Sequence, residues 1–106
     1  MINIQVYRNS AGEITGFAVN GHAGTAPHGQ DIVCAGVAAL TQTAVLGLER
    51  QLKREFTLDI AEGKLILELK KPPDALTEAV LATMLLGLTE IAKVSSSSVR
   101  IAEHRR

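Results

Sequence analysis

At 106 residues the chain has room for one domain, residues 1–106, around one hydrophobic core and not for two. Eleven basic and eleven acidic side chains cancel, so the basic excess of a free-standing nucleic-acid binder is missing, and Tyr7, Phe17 and Phe56 make no stacking platform. A single cysteine excludes an internal disulfide and fits a reducing compartment. No direct nucleic-acid partner is expected. The longest apolar run, Ala79 to Leu88, is short and broken by threonine, so no membrane span is expected and the reading is cytoplasmic.

Ile2, Ile4 and Val6 alternate with polar residues, the period of a half-buried strand. Asn9-Ser10-Ala11-Gly12 supplies turn chemistry, and a second strand follows over Glu13 to Asn20, making a hairpin. Gly16 inside that strand marks a bulge or a close backbone approach. Periodicity then lapses from Gly21 to Gln30, where Gly24 and Gly29 loosen the backbone and Pro27 biases Ala26 away from helix. Asp31 reads as the N-cap of a helix striped by Val33, Val37, Leu40, Ala44 and Leu48. Its other side, Ala35, Ala38, Ala39, Gln42 and Leu46, is small enough for close packing against a helix or a partner chain. A second hairpin follows, Phe56, Leu58 and Ile60 alternating before Glu62-Gly63 and Leu65, Leu67 and Leu69 after it. Asp74 begins a second helix to about Val94, whose apolar stripe is too wide for one sheet face. Ser95 to Ser98 connects it to a last strand with Val99 and Ile101 facing inward. The expected fold is α+β, a ββαββαβ layered arrangement of five mainly antiparallel strands in hairpins packed with two helices, strand order open.

Chemistry concentrates between Gly21 and Leu40. A thiol attacks carbonyls as the thiolate, and Cys34, three residues past an N-cap at Asp31, would sit where unpaired N–H groups and the helix dipole favour negative sulfur. The Asp31 carboxylate opposes this unless capping N–H groups or a histidine take up its charge. The same N–H groups, with that of Ala35 as candidate, suit a developing oxyanion. His22, closing the second strand, is the preferred base; His28, between Pro27 and Gly29, is its rival, and His104 lies in the tail. The plainer readings are a cysteine buried as a small hydrophobe, a histidine satisfying a carbonyl and an aspartate that only caps. Cys34, His22 and His28 lack zinc spacing, and no phosphate-binding fingerprint is present, so neither metal nor cofactor is expected. A one-cysteine redox role lacks a resolving thiol.

Gly21-His22-Ala23, a short stretch, then Gly29-Gln30-Asp31-Ile32-Val33-Cys34-Ala35 and Val37 resembles the signature of the bacterial ribosomal-processing cysteine proteases (Prp). The resemblance spans essentially the whole chain, element order included. It implies a cytoplasmic endopeptidase, typically a homodimer, that removes the N-terminal extension of a large-subunit ribosomal protein, the twenty-seventh of its series, after a pair of phenylalanines. It assigns Cys34 as nucleophile and His22 as general acid/base, and leaves Asp31 as helix cap or histidine-orienting group. Gly21, Ala23, Gly24, Gly29 and Gln30 become a substrate loop, with Gly24 and Gly29 as hinges. One departure is Ala38, where many relatives have a serine one turn after the cysteine. The alternative reading is a non-catalytic dimeric binding module or ribosome-assembly adaptor, resting on the wide apolar helix surfaces.

Overall fold

The computed structural model describes the backbone of residues 1–21 and 28–106, and the side chains of all of these but 28–31. The order is β1 (Ile2–Arg8), β2 (Ile14–Asn20), α1 (His28–Leu46), a π-turn (Gly47–Gln51), β3 (Phe56–Ala61), β4 (Lys64–Leu69), α2 (Ala75–Val94) and β5 (Val99–Arg105). This is the ββαββαβ α+β fold that the residue patterns predict.

The strands form one mixed sheet in the order β3-β4-β2-β1-β5. Three pairings are antiparallel and the fourth, β1 with β5, is parallel. The β1–β2 hairpin turns on Asn9, whose Oδ1 accepts from the N–H groups of Ala11 and Glu13, with Gly12 at φ +84°. Its register slips between Tyr7 and Arg8, beside Gly16, and a Cβ on Gly16 would stand 2.5 Å from the Leu67 carbonyl oxygen. Both roles expected of that glycine, bulge and close approach, are therefore present. The fifth strand is locked down by side chains as well as by its ladder. His104 stacks on Tyr7 at 5.4 Å between ring centroids, and the Arg106 guanidinium lies 3.9 Å over the Tyr7 ring.

One face of the sheet carries Ile2, Ile4, Val6, Phe17, Leu65, Leu67 and Val99, which form the core with Val37, Ala44 and Leu48 from the first helical segment and Leu81, Met84, Leu85 and Leu88 from α2. The helices meet through small residues. A Cβ on Gly87 would come within 2.8 Å of the Leu40 side chain, and one on Gly36 within 3.2 Å of Ile91. The α1 side expected to pack closely is not the one α2 uses: Ala35, Ala39, Gln42 and Leu46 are exposed, because contact runs through Gly36 and Leu40. By length and composition both Ile32–Gln51 and Ala75–Val94 are apolar enough to cross a bilayer, contrary to the reading from the uninterrupted run alone. Here their buried positions pack on the sheet and on each other.

Helix starts separate into one predicted and one corrected. Asp74 caps α2 as expected, its carboxylate accepting from the N–H groups of Leu76 and Thr77 while the Asp74 N–H donates to the Thr77 hydroxyl oxygen. Helix α1, in contrast, begins at His28, three residues before Asp31. Asp31 thus lies inside the helix rather than at its cap, and His28, Gly29 and Gln30 belong to the first turn rather than to a loop. Gly29 signalled a loop because glycine weakens helix by about 1 kcal/mol, a cost small enough for tertiary packing to override.

Candidate active site

Cys34 is half-buried on α1 and is not in a disulfide. Val37, Ala38, Thr41 and Gln42 follow it along one side of the helix and, with Cys34, line a cavity of about 220 Å³. Its opposite wall comes from the sheet: Ile2 on β1, Val19 and Gly21 at the end of β2, and Ile60, Ala61, Gly63, Lys64 and Leu65 around the β3–β4 turn. The sheet order explains the meeting. β4 lies beside β2, and the Gly21 N–H donates to the Gly63 carbonyl at 2.9 Å, so the second hairpin's turn reaches the end of β2.

Local geometry at that rim needs glycine. Gly21 has φ +98°, and a Cβ there would approach the Met1 carbonyl oxygen to 2.3 Å. Gly63 turns the hairpin at φ +70°. Gly21, expected in the substrate stretch, does line the cavity. The sheet-side residues Ile60, Ala61, Gly63, Lys64 and Leu65 and the helix residues Thr41 and Gln42 went unremarked in the sequence as site residues. Only the helix pair, at spacings of seven and eight from Cys34, carried a signal that could have found them.

The other expected residues are distributed unevenly. His22, Ala23 and Gly24 lie outside the described residues, while Gly29, Gln30 and Asp31 are in the backbone of α1's first turn. Cys34 is the seventh residue of α1, not the third. An α-helix bonds each N–H to the carbonyl four residues back, so the Ala35 N–H faces the Asp31 carbonyl and is not among the open donors. Among the described residues the open donors are the N–H groups of residues 28–30. Ala38, the position expected to depart from the family pattern, presents a methyl group to the cavity. The nearest hydroxyl along that wall, Thr41, donates to the Val37 carbonyl at 2.9 Å and so is committed to its own helix.

A larger hollow of about 500 Å³ lies between α1 and α2, lined by Leu40, Thr43, Ala44, Val80, Thr83 and Met84 among others, with no titratable side chain. Chemistry therefore favours the smaller cavity, whose wall holds the thiol. Among the described residues no group of three His, Cys, Asp or Glu side chains gathers as a metal site would need.

Comparisons with known proteins bear on the family and the fold. The family model described as "Cysteine protease Prp" matches residues 1–100. The ribosomal processing cysteine protease Prp of Staphylococcus aureus is 27% identical over 104 residues, covering 95% of this chain and 97% of that one. Its namesake in Bacillus subtilis is 42% identical over 62 residues, 58% of this chain and 55% of that one. The crystal structure of the S. aureus protease with a substrate peptide superposes with a TM-score of 0.89 at 23% identity, over 97% of this chain and 99% of that one. SMU.848 from Streptococcus mutans superposes at 0.84 with 27% identity, over 100% and 96%.

Proposed function

The chain belongs to the cysteine protease Prp family, and from that premise we propose that it removes the N-terminal extension of a large-subunit ribosomal protein, the twenty-seventh of its series, during ribosome maturation. It is a cysteine-type peptidase, which sets the non-catalytic adaptor reading aside. The observation that carries the proposal is Cys34 on the wall of a cavity of about 220 Å³ that the sheet closes from the other side.

In this reading the Cys34 thiolate attacks the scissile carbonyl, forming a C–S bond. His22, as imidazolium, gives its proton to the departing amine as the C–N bond breaks. Neutral His22 then takes a proton from water, which attacks the thioester, and the C–S bond breaks to release the acid product and restore the Cys34 thiolate and the His22 imidazolium. The open N–H groups at the start of α1 replace that of Ala35 as proposed oxyanion donors, since a helical side chain leans toward its own N-terminus. Asp31, one turn before Cys34, is proposed to orient His22, and Gly21, Ala23, Gly24, Gly29 and Gln30 to contact the substrate. The proposed compartment is the cytoplasm and the proposed assembly a homodimer, for which the apolar hollow between α1 and α2 is the supporting surface.

The test is a peptide spanning the host protein's extension and its cleavage point, incubated with the unsubstituted protein, Cys34→Ser and His22→Ala. Each substitution is expected to lower kcat/KM by at least about a hundredfold. Cleavage by either variant at the unsubstituted rate would sink the assignment of that residue.

A further inference from the structure

Helix α1 is packed on two sides and open on a third. Val37, Ala44 and Val45 hold it to the core beneath. A helix turns about 100° per residue, which puts Gly36 and Leu40 roughly 160° and 120° round the axis from Cys34. Helix α2 takes that far flank, while the cavity lined by Cys34, Ala38, Thr41 and Gln42 takes the near one. On the α2 flank, a glycine on one side meets a branched side chain on the other three times. A Cβ on Gly36 would stand 3.2 Å from Cδ1 of Ile91, and one on Gly87 2.8 Å from Cδ1 of Leu40. A Cβ on Gly47, the first residue of the π-turn, would stand 3.6 Å from Cγ1 of Val80. Positions rise along α1 as they fall along α2, by four and then by seven, so one antiparallel register covers all three pairs. The first two are closer than the ordinary contact of 3.4–4 Å, and the third is not. Glycine inside a helix weakens it, so Gly36 and Gly87 carry a local cost that this close approach explains.

We infer that Gly36 and Gly87 are positioning residues for Cys34: by letting Ile91 and Leu40 rest on bare backbone, they hold α1 back from the β3–β4 turn and set the width of the cavity in front of the thiol. This rests on the reading of Cys34 as the nucleophile of a peptidase and adds what fixes its place. A methyl group at either glycine forces the two helices apart by a few tenths of an ångström. The core beneath α1 is close-packed and does not yield. Among the described residues the cavity flank offers no packing that resists, so α1 moves that way and the cavity narrows. Gly36 lies two residues from Cys34 on the same helix, so the shift reaches the thiol undiminished. Reaction geometry tolerates little of this, since a misplacement of about 1 Å can cost about a hundredfold in rate.

Because Cys34 is the single cysteine, its alkylation reads the thiol's setting directly. The full chain is alkylated with N-ethylmaleimide at one pH, unsubstituted and as Gly36→Ala, Gly87→Ala, Gly36→Ala with Ile91→Val, and Gly87→Ala with Leu40→Val. Each glycine variant is expected to react about tenfold more slowly, the scale of a misplacement well under 1 Å. Valine lacks the δ carbons that the new Cβ would meet, so each double variant is expected to return to within about twofold of the unsubstituted rate. The double variants keep their alanine, so an effect of helix propensity alone would persist in them. Unfolding would expose Cys34 and speed the reaction. An unchanged or faster rate in either glycine variant, or slowing that the shortened partner does not relieve, would overturn the proposal. Cleavage of the ribosomal-extension peptide is scored on the same samples, and its kcat/KM is expected to fall and recover in step. Slowed alkylation with cleavage undiminished would instead overturn the catalytic reading of Cys34 and leave the positioning intact.

Discussion

Cys34 owes its setting to residues far from it in sequence. The helix presents the thiol, and the end of the sheet, through Gly21, Ala61 and Gly63, closes the space in front of it. Glycine is structurally required at two points near or beneath that space. A Cβ on Gly21 would collide with the Met1 carbonyl, and one on Gly16 with the Leu67 carbonyl, both backbone atoms that cannot rotate away. Gly16→Ala is therefore expected to destabilise the fold by about 1–3 kcal/mol, the cost of forcing a well-packed strand pair apart. Urea denaturation measures it; an unchanged midpoint would mean that β2 and β4 separate at no cost. Gly16 was legible in the sequence as a glycine breaking a strand pattern, although the atom it must avoid was not, because Leu67 is fifty-one residues away.

The two main helices differ in what begins them. Helix α2 starts at a capping box, and its cap also pairs with Arg54, which follows the π-turn and the left-handed Lys53. The Arg54 guanidinium, then the N–H of Thr77 and that of Leu76, hold the Asp74 carboxyl below its ordinary value of 3.8. A lowered folded-state pKa means the unfolded chain binds the proton more readily. The stabilisation is thus present above 3.8 and lost as pH falls through the folded value. Asp74→Asn is expected to lower Tm at neutral pH and to lose less Tm than the unsubstituted protein on acidification below 3.8, with the difference shrinking in high salt since the group is exposed. Parallel pH profiles for the two proteins would contradict it. Helix α1 has no such readable start. Asp31 has the right chemistry for a cap, but the helix begins three residues earlier, at His28, and with it Cys34 moves from the first turn to the second.

At the scale of the molecule, one parallel pairing decides the layout. β5 enters beside β1, which makes β1 an interior strand with β2 and β4 and leaves β3 and β5 as the edges, β3 being the one near the thiol. Helices on one face only leave the hollow between α1 and α2 facing outward. Sedimentation equilibrium is expected to return twice the chain mass, and Thr83→Arg, at the outer rim of that hollow, to return the monomer. A monomeric unsubstituted protein would remove the homodimer from the proposal.

Alternation of apolar residues in Ile2–Val6, Phe56–Ile60 and Leu65–Leu69, helical spacing in the two long segments, and turn chemistry at Asn9 and Glu62-Gly63 were enough to read element order and class. Each of those signals acts over a few neighbouring residues. The motif around His22 and Cys34 was likewise a local string, enough to point to the family. Strand order, the start of α1, and the wall of Ile60, Ala61 and Gly63 facing the thiol were not legible. They depend on which apolar faces find one another across the chain, and period-two alternation states that a strand has a buried face without stating what buries it.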